Sequence, residues 1–207
     1  MQESAGEEFW NWTTHFVGLI LTVIGIPFLI QYNNNLTPIS SLGIGFFSFG
    51  LLLVYTSSTI YHYVKKPKLK EKLRLLDHIS IYYLITGSYA PVCLITLYDY
   101  SGLTIFIIVL AFSIIGTLFK IYSKNRFEKG SVVLYLFLGW LIVFDIQTLF
   151  SLIELNAKYL IMLGGSFYTI GVFFYLNDSI KYSHAIWHIF VILGSMSHFF
   201  MVLFYVI

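Results

Sequence analysis

The chain has 207 residues, of which 58% are hydrophobic and only 11% charged. Soluble domains carry about 25% charged residues, so a water-facing surface is excluded and the bilayer is the first environment to consider. A net charge of +2 says little by itself, nothing in the sequence points to nucleic acid, and the single cysteine, Cys93, excludes an internal disulfide.

The first residues, Met-Gln-Glu-Ser-Ala-Gly-Glu-Glu, are acidic. They carry neither a basic n-region nor a small-residue cleavage pattern, so no cleavable signal peptide is expected and the first apolar run serves as the insertion signal. Residues 1–11 read as a short cytoplasmic segment. Apolar runs long enough to cross a bilayer fall at about 12–32, 40–64, 77–97, 102–122, 131–150, 157–176 and 183–205. Their separators are short and polar: Asn33 to Asn35, Lys65 to Leu76, Tyr98 to Ser101, Ser123 to Gly130, Ser151 to Asn156, and Asn177 to Tyr182. No linker is long enough to divide the chain, so residues 1–207 are expected to form a single all-α transmembrane domain, a bundle of seven helices. The runs are continuously apolar rather than alternating, which argues against a barrel. The aromatic content, 19%, suits tyrosine and tryptophan at bilayer interfaces.

The basic residues predict orientation. The second separator carries Lys65, Lys66, Lys68, Lys70, Lys72 and Arg74. The fourth region carries Lys120, Lys124, Arg126 and Lys129, and the sixth Lys181. These are eleven of the twelve Lys and Arg; the odd-numbered separators hold only Lys158. By the positive-inside rule the even separators are cytoplasmic. The N-terminus is then inside and the C-terminus outside, opposite to G-protein-coupled receptors.

Ionisable groups within spans are costly and tend to be functional. His62 closes the second span, Asp77 opens the third, and His184 and His188 open the seventh. On the predicted topology all four lie at the cytoplasmic side at similar depth. His184 and His188 are four residues apart and share a helix face. Ser58 precedes His62 by one turn and points the same way. Three imidazoles with one open position match a catalytic zinc site, in which water completes the tetrahedron. Asp77 is placed to act as general base on that water. Imidazole ligands also admit iron, nickel or copper. The bland alternative for any one of these histidines is an interfacial ring wetted by headgroups; the matched depth of the set argues against it.

Four motifs carry a resemblance. Glu8, Asn11, Thr14, His15 and Gly18 form E-x-x-N-x-x-T-H-x-x-G at the start of the first span. Ser58 to His62 reads S-x-x-x-H. Asp77 is followed by Gly87-Ser88-Tyr89-Ala90-Pro91. Ser183 to His188 reads S-H-A-I-W-H, followed by Gly194 and His198. From Glu8 to His198 the chain resembles the hemolysin III branch of the progestin and adipoQ receptor family, which includes the adiponectin receptors. The resemblance implies seven helices with the N-terminus inside. It also implies a zinc ion held by His62, His184 and His188, with Ser58 and Asp77 beside the water that completes its coordination. Adiponectin receptors are linked to ceramide hydrolysis, and a wider superfamily with alkaline ceramidases is thought to be metal-dependent lipid amide hydrolases. Bacterial members are named for hemolysis and also connected with membrane lipid homeostasis. A hormone-receptor role is not expected, because the long N-terminal domain of the eukaryotic receptors is not in this sequence.

Glu8, Asn11 and His15 share one face of the first span and either support the site or simply start a helix with polar residues. His198 lies about 15 Å deeper than His188 at 1.5 Å per residue and is expected to bond a neighbouring helix. Asp145, in the outer half of the fifth span, lines a cavity or pairs with a polar group such as Gln147 or a tyrosine. His78 points about 100° from Asp77 and reads as interfacial. Gly87, Gly164, Gly165 and Gly171 read as close-packing contacts. The leading expectation is a zinc-dependent hydrolase of an acyl-chain lipid amide or ester in the plasma membrane of a bacterium, with a membrane lipid as substrate or ligand. The rival is a non-catalytic protein, a cytolytic factor or lipid sensor, whose zinc ties the second and seventh spans together. A retinal-binding rhodopsin is excluded, because the seventh span has no lysine for a Schiff base.

Overall fold

A computed structural model describes residues 4–123 and 127–207. Among these the architecture is entirely helical. Helix α1 spans Ala5–Gln31, α2 Ser40–Tyr63 and α3 Pro67–Pro91, the last continuing as a wide π turn over Val92–Thr96. Next come α4 (Gly102–Tyr122), α5 (Glu128–Gly139), a 3₁₀ turn (Leu141–Asp145) and α6 (Ile146–Leu152). Finally α7 runs over Leu155–Tyr175 and α8 over Ser183–Tyr205. Taking α5 through α6 as one, seven stretches are long and apolar enough to cross a membrane. The seven-helix expectation therefore holds.

The surface is inverted relative to a soluble protein. Phe16, Ile20, Ile24 and Phe28 stand exposed along α1, and Ile107, Ile114 and Ile115 along α4. Exposed apolar surface on this scale needs an apolar solvent. The interior core gathers around Leu51, Val54, Tyr55, Leu84 and Val109. The most extensive pairings are α2 with α3, α7 with α8 and α1 with α2, while α8 also packs on α1. Helix α1 thus lies between the end of α2 and the start of α8, where the expected metal ligands are.

Glycine makes the α2–α3 seam. A Cβ on Gly50 would lie 2.5 Å from the Tyr83 carbonyl oxygen, and one on Gly87 would lie 2.7 Å from that of Phe46. Both obstacles are backbone and cannot rotate away, so these positions set how closely the two helices approach. Gly164 and Gly171 are close-packing positions as expected, though there a Cβ would meet side chains, the His198 ring and Phe190. Gly165 has only ordinary van der Waals neighbours.

Three expectations about boundaries need correction. Helix α1 begins at Ala5, not near residue 12, because Ser4 and Glu7 form a capping box: the Ser4 hydroxyl accepts from the Glu7 N–H, and the Glu7 carboxylate accepts from the Ser4 N–H at 2.8 Å. The stretch Lys65 to Leu76 is not a loop. Pro67 starts α3, where its missing N–H costs nothing, and the helix carries its basic residues beyond the apolar run. The fifth span is broken near Gly139. The Tyr89 hydroxyl enters the break, accepting from the Ile142 N–H at 2.9 Å and lying 2.9 Å from the Leu138 carbonyl to which it donates. Lys124 and Arg126, counted in the charge bias, lie outside the described residues.

Candidate metal centre

Three elements build the site. The last turn of α2 brings in His62, and the first two turns of α8 bring in His184 and His188. Tyr182, at φ +61°, makes the left-handed turn into α8. That conformation costs about 1–3 kcal/mol for a non-glycine residue and is held by its surroundings. One ring nitrogen from each of the three histidines lies within 4.8 Å of the other two. A tetrahedral zinc with Zn–N bonds of 2.0–2.1 Å needs donors about 3.3 Å apart, inside that limit. Among the described residues these are the only three His, Cys, Asp or Glu side chains so gathered.

Helix α1 supplies what orients the rings. The Glu8 carboxylate accepts from His62 Nδ1 at 2.8 Å, and its other oxygen takes a bond from the Lys70 ammonium at 2.6 Å. The Asn11 backbone carbonyl accepts from His188 Nδ1 at 3.0 Å, with the Thr14 hydroxyl 3.1 Å from the same nitrogen. Both Nδ1 atoms being committed as donors, the tautomers carry their lone pairs on Nε2. His188 is fully buried and its Nε2 has no hydrogen-bond partner. Leaving such a nitrogen empty-handed costs about 1–3 kcal/mol. A metal ion removes that cost, so the donor set fits a zinc-class cation: imidazole nitrogens, oriented by a carboxylate and a carbonyl, with no thiol competing. The face shared by Glu8 and Asn11 therefore touches the histidine cluster rather than merely starting a helix.

Ser58 sits one turn from His62, fully buried, its hydroxyl without a hydrogen-bond partner. Asp77 is 4% exposed and lies not at the start of α3 but three turns in. It lines a cavity of about 120 Å³ walled by α1, α2, α3, α5, α7 and α8. Most of the wall is aliphatic and aromatic; His15 joins Asp77 on it.

The structure also specifies contacts that the sequence left open. His15 stacks on His188 with ring centroids 3.5 Å apart and planes at 16°, and it stands edge-on to Tyr55. It touches the cluster without belonging to it. His78 is buried rather than interfacial: the Lys120 ammonium donates to its Nδ1 at 3.2 Å, and Tyr135 donates to its carbonyl at 2.8 Å. A lysine in the last turn of α4 was the available signal. Asp145 accepts from Ser101 and from Thr148, not from Gln147 or a tyrosine. His198 packs against Gly164 and Tyr168 of α7 and is approached by the Ile161 carbonyl, but neither ring nitrogen makes the well-formed bond to a neighbouring helix that was expected.

Comparison with known proteins agrees with the motifs. Residues 4–199 match the family described as Haemolysin-III related. The chain is similar to Hemolysin-3 of Bacillus cereus, 37% identical over all of this chain and 95% of that protein. It is 38% identical to the Hemolysin-3 homolog of Bacillus subtilis (strain 168), over 96% of this chain and 94% of the other. The Monocyte to macrophage differentiation factor of Homo sapiens is 27% identical, over 92% of this chain and 80% of that protein. With the family match covering nearly the whole chain, this seven-span membrane protein belongs to the haemolysin-III-related branch of the progestin and adipoQ receptor family.

Proposed function

We propose that the protein is a zinc-dependent hydrolase of an acyl-chain lipid amide or ester, acting in a bacterial plasma membrane with its N-terminus and metal centre at the cytoplasmic side. The observation that carries this reading is the convergence of three imidazoles, two of them oriented by α1, next to an apolar cavity lined by the buried Asp77 and by His15, which stacks on His188. Such a combination is what lipid hydrolysis needs. His62, His184 and His188 hold the ion, and fewer than four protein ligands leaves a position for chemistry. Zinc, when bound, supplies Lewis acidity that makes water nucleophilic near neutral pH and polarises a carbonyl group.

The chain's own residues do the rest. Asp77 accepts the proton of the attacking water and returns it to the leaving amine or alcohol. The Ser58 hydroxyl donates a hydrogen bond to the water or to the oxyanion that develops on the carbonyl. Glu8 and the Asn11 carbonyl keep His62 and His188 in the ligating tautomer. The aliphatic cavity wall takes the acyl chain and excludes bulk water from it.

Asp77→Asn tests this against a purely structural metal. The substitution preserves size but removes the basic carboxylate. The variant is expected to keep about one zinc per chain and lose about 10²–10⁴-fold in hydrolysis, the usual share of general acid–base catalysis. His184→Ala and His188→Ala are expected to lose most of the metal. The assay is run on ceramides and simple lipid esters. Metal loss in Asp77→Asn makes Asp77 a ligand and favours the structural reading. Inertness of the metal-loaded wild type on every lipid class sinks the hydrolase.

A further inference from the structure

The deep end of the cavity holds a polar group that the hydrolytic chemistry does not use. His198 lies ten residues beyond His188 on α8, about 15 Å along the helix axis. Its ring lines the same cavity as Asp77 and His15. Neither ring nitrogen makes a hydrogen bond of good geometry. The Ile161 carbonyl, the backbone acceptor that approaches the ring, can occupy only one nitrogen, and only as an acceptor from N–H. The second nitrogen of a neutral imidazole is then an acceptor buried within the bundle, with no donor to serve it.

Its surroundings hold the ring there. Gly164 leaves the space it fills, since a Cβ at that position would come within 2.4 Å of the imidazole. Tyr168 stands edge-on at 5.6 Å, and its hydroxyl is already engaged with Ser195 at 2.9 Å. The cavity wall is mostly apolar, with Leu84, Ile85 and Val191 among its aliphatic members and Tyr89, Trp140 and Trp187 among its aromatic ones. An unmodified acyl chain fills such a wall but gives the buried acceptor nothing.

We infer that the His198 end of the cavity is a binding subsite for a hydroxyl group carried in the middle of an acyl chain. The hydroxyl donates to the free nitrogen of His198 while the carbonyl end lies at the metal centre. The separation sets the position. An extended chain advances about 1.2 Å per bond, as an extended backbone does, so about 15 Å reaches a substituent near carbon 12. The inference rests on the acyl-lipid reading of the cavity and deepens it by naming a substrate class, mid-chain hydroxylated acyl groups.

Binding rather than turnover tests it, so the result does not depend on finding the scissile bond. Purified protein in lipid nanodiscs is titrated with stearic acid, 12-hydroxystearic acid and 2-hydroxystearic acid, each displacing a fluorescent fatty acid. The 12-hydroxy acid is expected to bind about tenfold more tightly than stearic acid, the worth of one buried hydrogen bond, and the 2-hydroxy acid to show no such gain. In His198→Leu the gain disappears while stearic acid still binds. His198→Gln, which keeps an acceptor, restores part of it. If His198→Leu does not fold, Gly164→Ala gives the same reading by displacing the ring, and there too the gain should vanish. Equal affinity for the 12-hydroxy and plain acids overturns the subsite and leaves the acyl-lipid reading standing. A 12-hydroxy preference that survives His198→Leu also overturns it. Failure of every fatty acid to displace the probe overturns both.

Discussion

Glu8 is the residue on which the centre turns. One oxygen holds His62 and the other holds Lys70, so a single carboxylate joins a candidate ligand to the basic start of α3. Partners of this kind typically change metal affinity 10–100-fold when removed. Glu8→Gln keeps an acceptor oxygen but loses the charge. It is expected to weaken zinc binding within that range while leaving the fold intact, as measured by competition against a chromophoric chelator. Unchanged affinity would make the Glu8–His62 bond a packing detail. Asn11 acts through its backbone carbonyl, so no side-chain substitution deletes that contact directly, and variants there report on the polar face of α1 instead.

At the scale of elements, the broken fifth span is the feature most dependent on a partner. Gly139 is a poor helix former, and after it the chain tightens into a 3₁₀ turn before α6 resumes. Backbone groups freed inside a membrane must be satisfied within the protein. The Tyr89 hydroxyl does this for the Ile142 N–H and for a carbonyl of the preceding turn. Tyr89→Phe leaves those groups buried and unpaired, at a cost of about 1–3 kcal/mol. A lowered melting temperature with unchanged zinc content is the expected result, read by thermal unfolding in detergent. No shift would mean that the break satisfies its own backbone. The neighbouring Pro91 accounts for the other irregularity: without an N–H it cannot continue the ladder, and the chain widens into the π turn at Val92.

For the whole molecule the open property is orientation. The helices alternate direction, so the basic start of α3 marks one end of the bundle, and the three clustered histidines lie at that same end. The positive-inside rule predicts that this end faces the cytoplasm. Alkaline phosphatase fused after Ile207 should therefore be active, whereas the same enzyme inserted at the turn between Val64 and Lys66 should be silent. The reverse pattern would move the metal centre to the outer face and bring its substrate from the opposite leaflet.

Seven spans were legible because bilayer thickness sets a minimum apolar length, and that constraint acts on local composition alone. The pairing of His184 with His188 was legible for a similar reason, since helical periodicity is local. Two helix starts are also written locally: Ser4-Ala5-Gly6-Glu7 is a capping box, and Pro67 suits a first helical position. Neither segment is apolar, so hydropathy alone does not mark where these helices begin. What required the tertiary structure was every partnership between distant helices. Glu8 meets His62 across 54 residues of chain, and the Asn11 carbonyl meets His188 across 177. The burial of His78 against Lys120 and the path of the cavity from Asp77 to His198 likewise depend on which helix packs against which. Periodicity determines the face a side chain occupies on its own helix; only close packing, set at places such as Gly50 and Gly87, decides what that face meets.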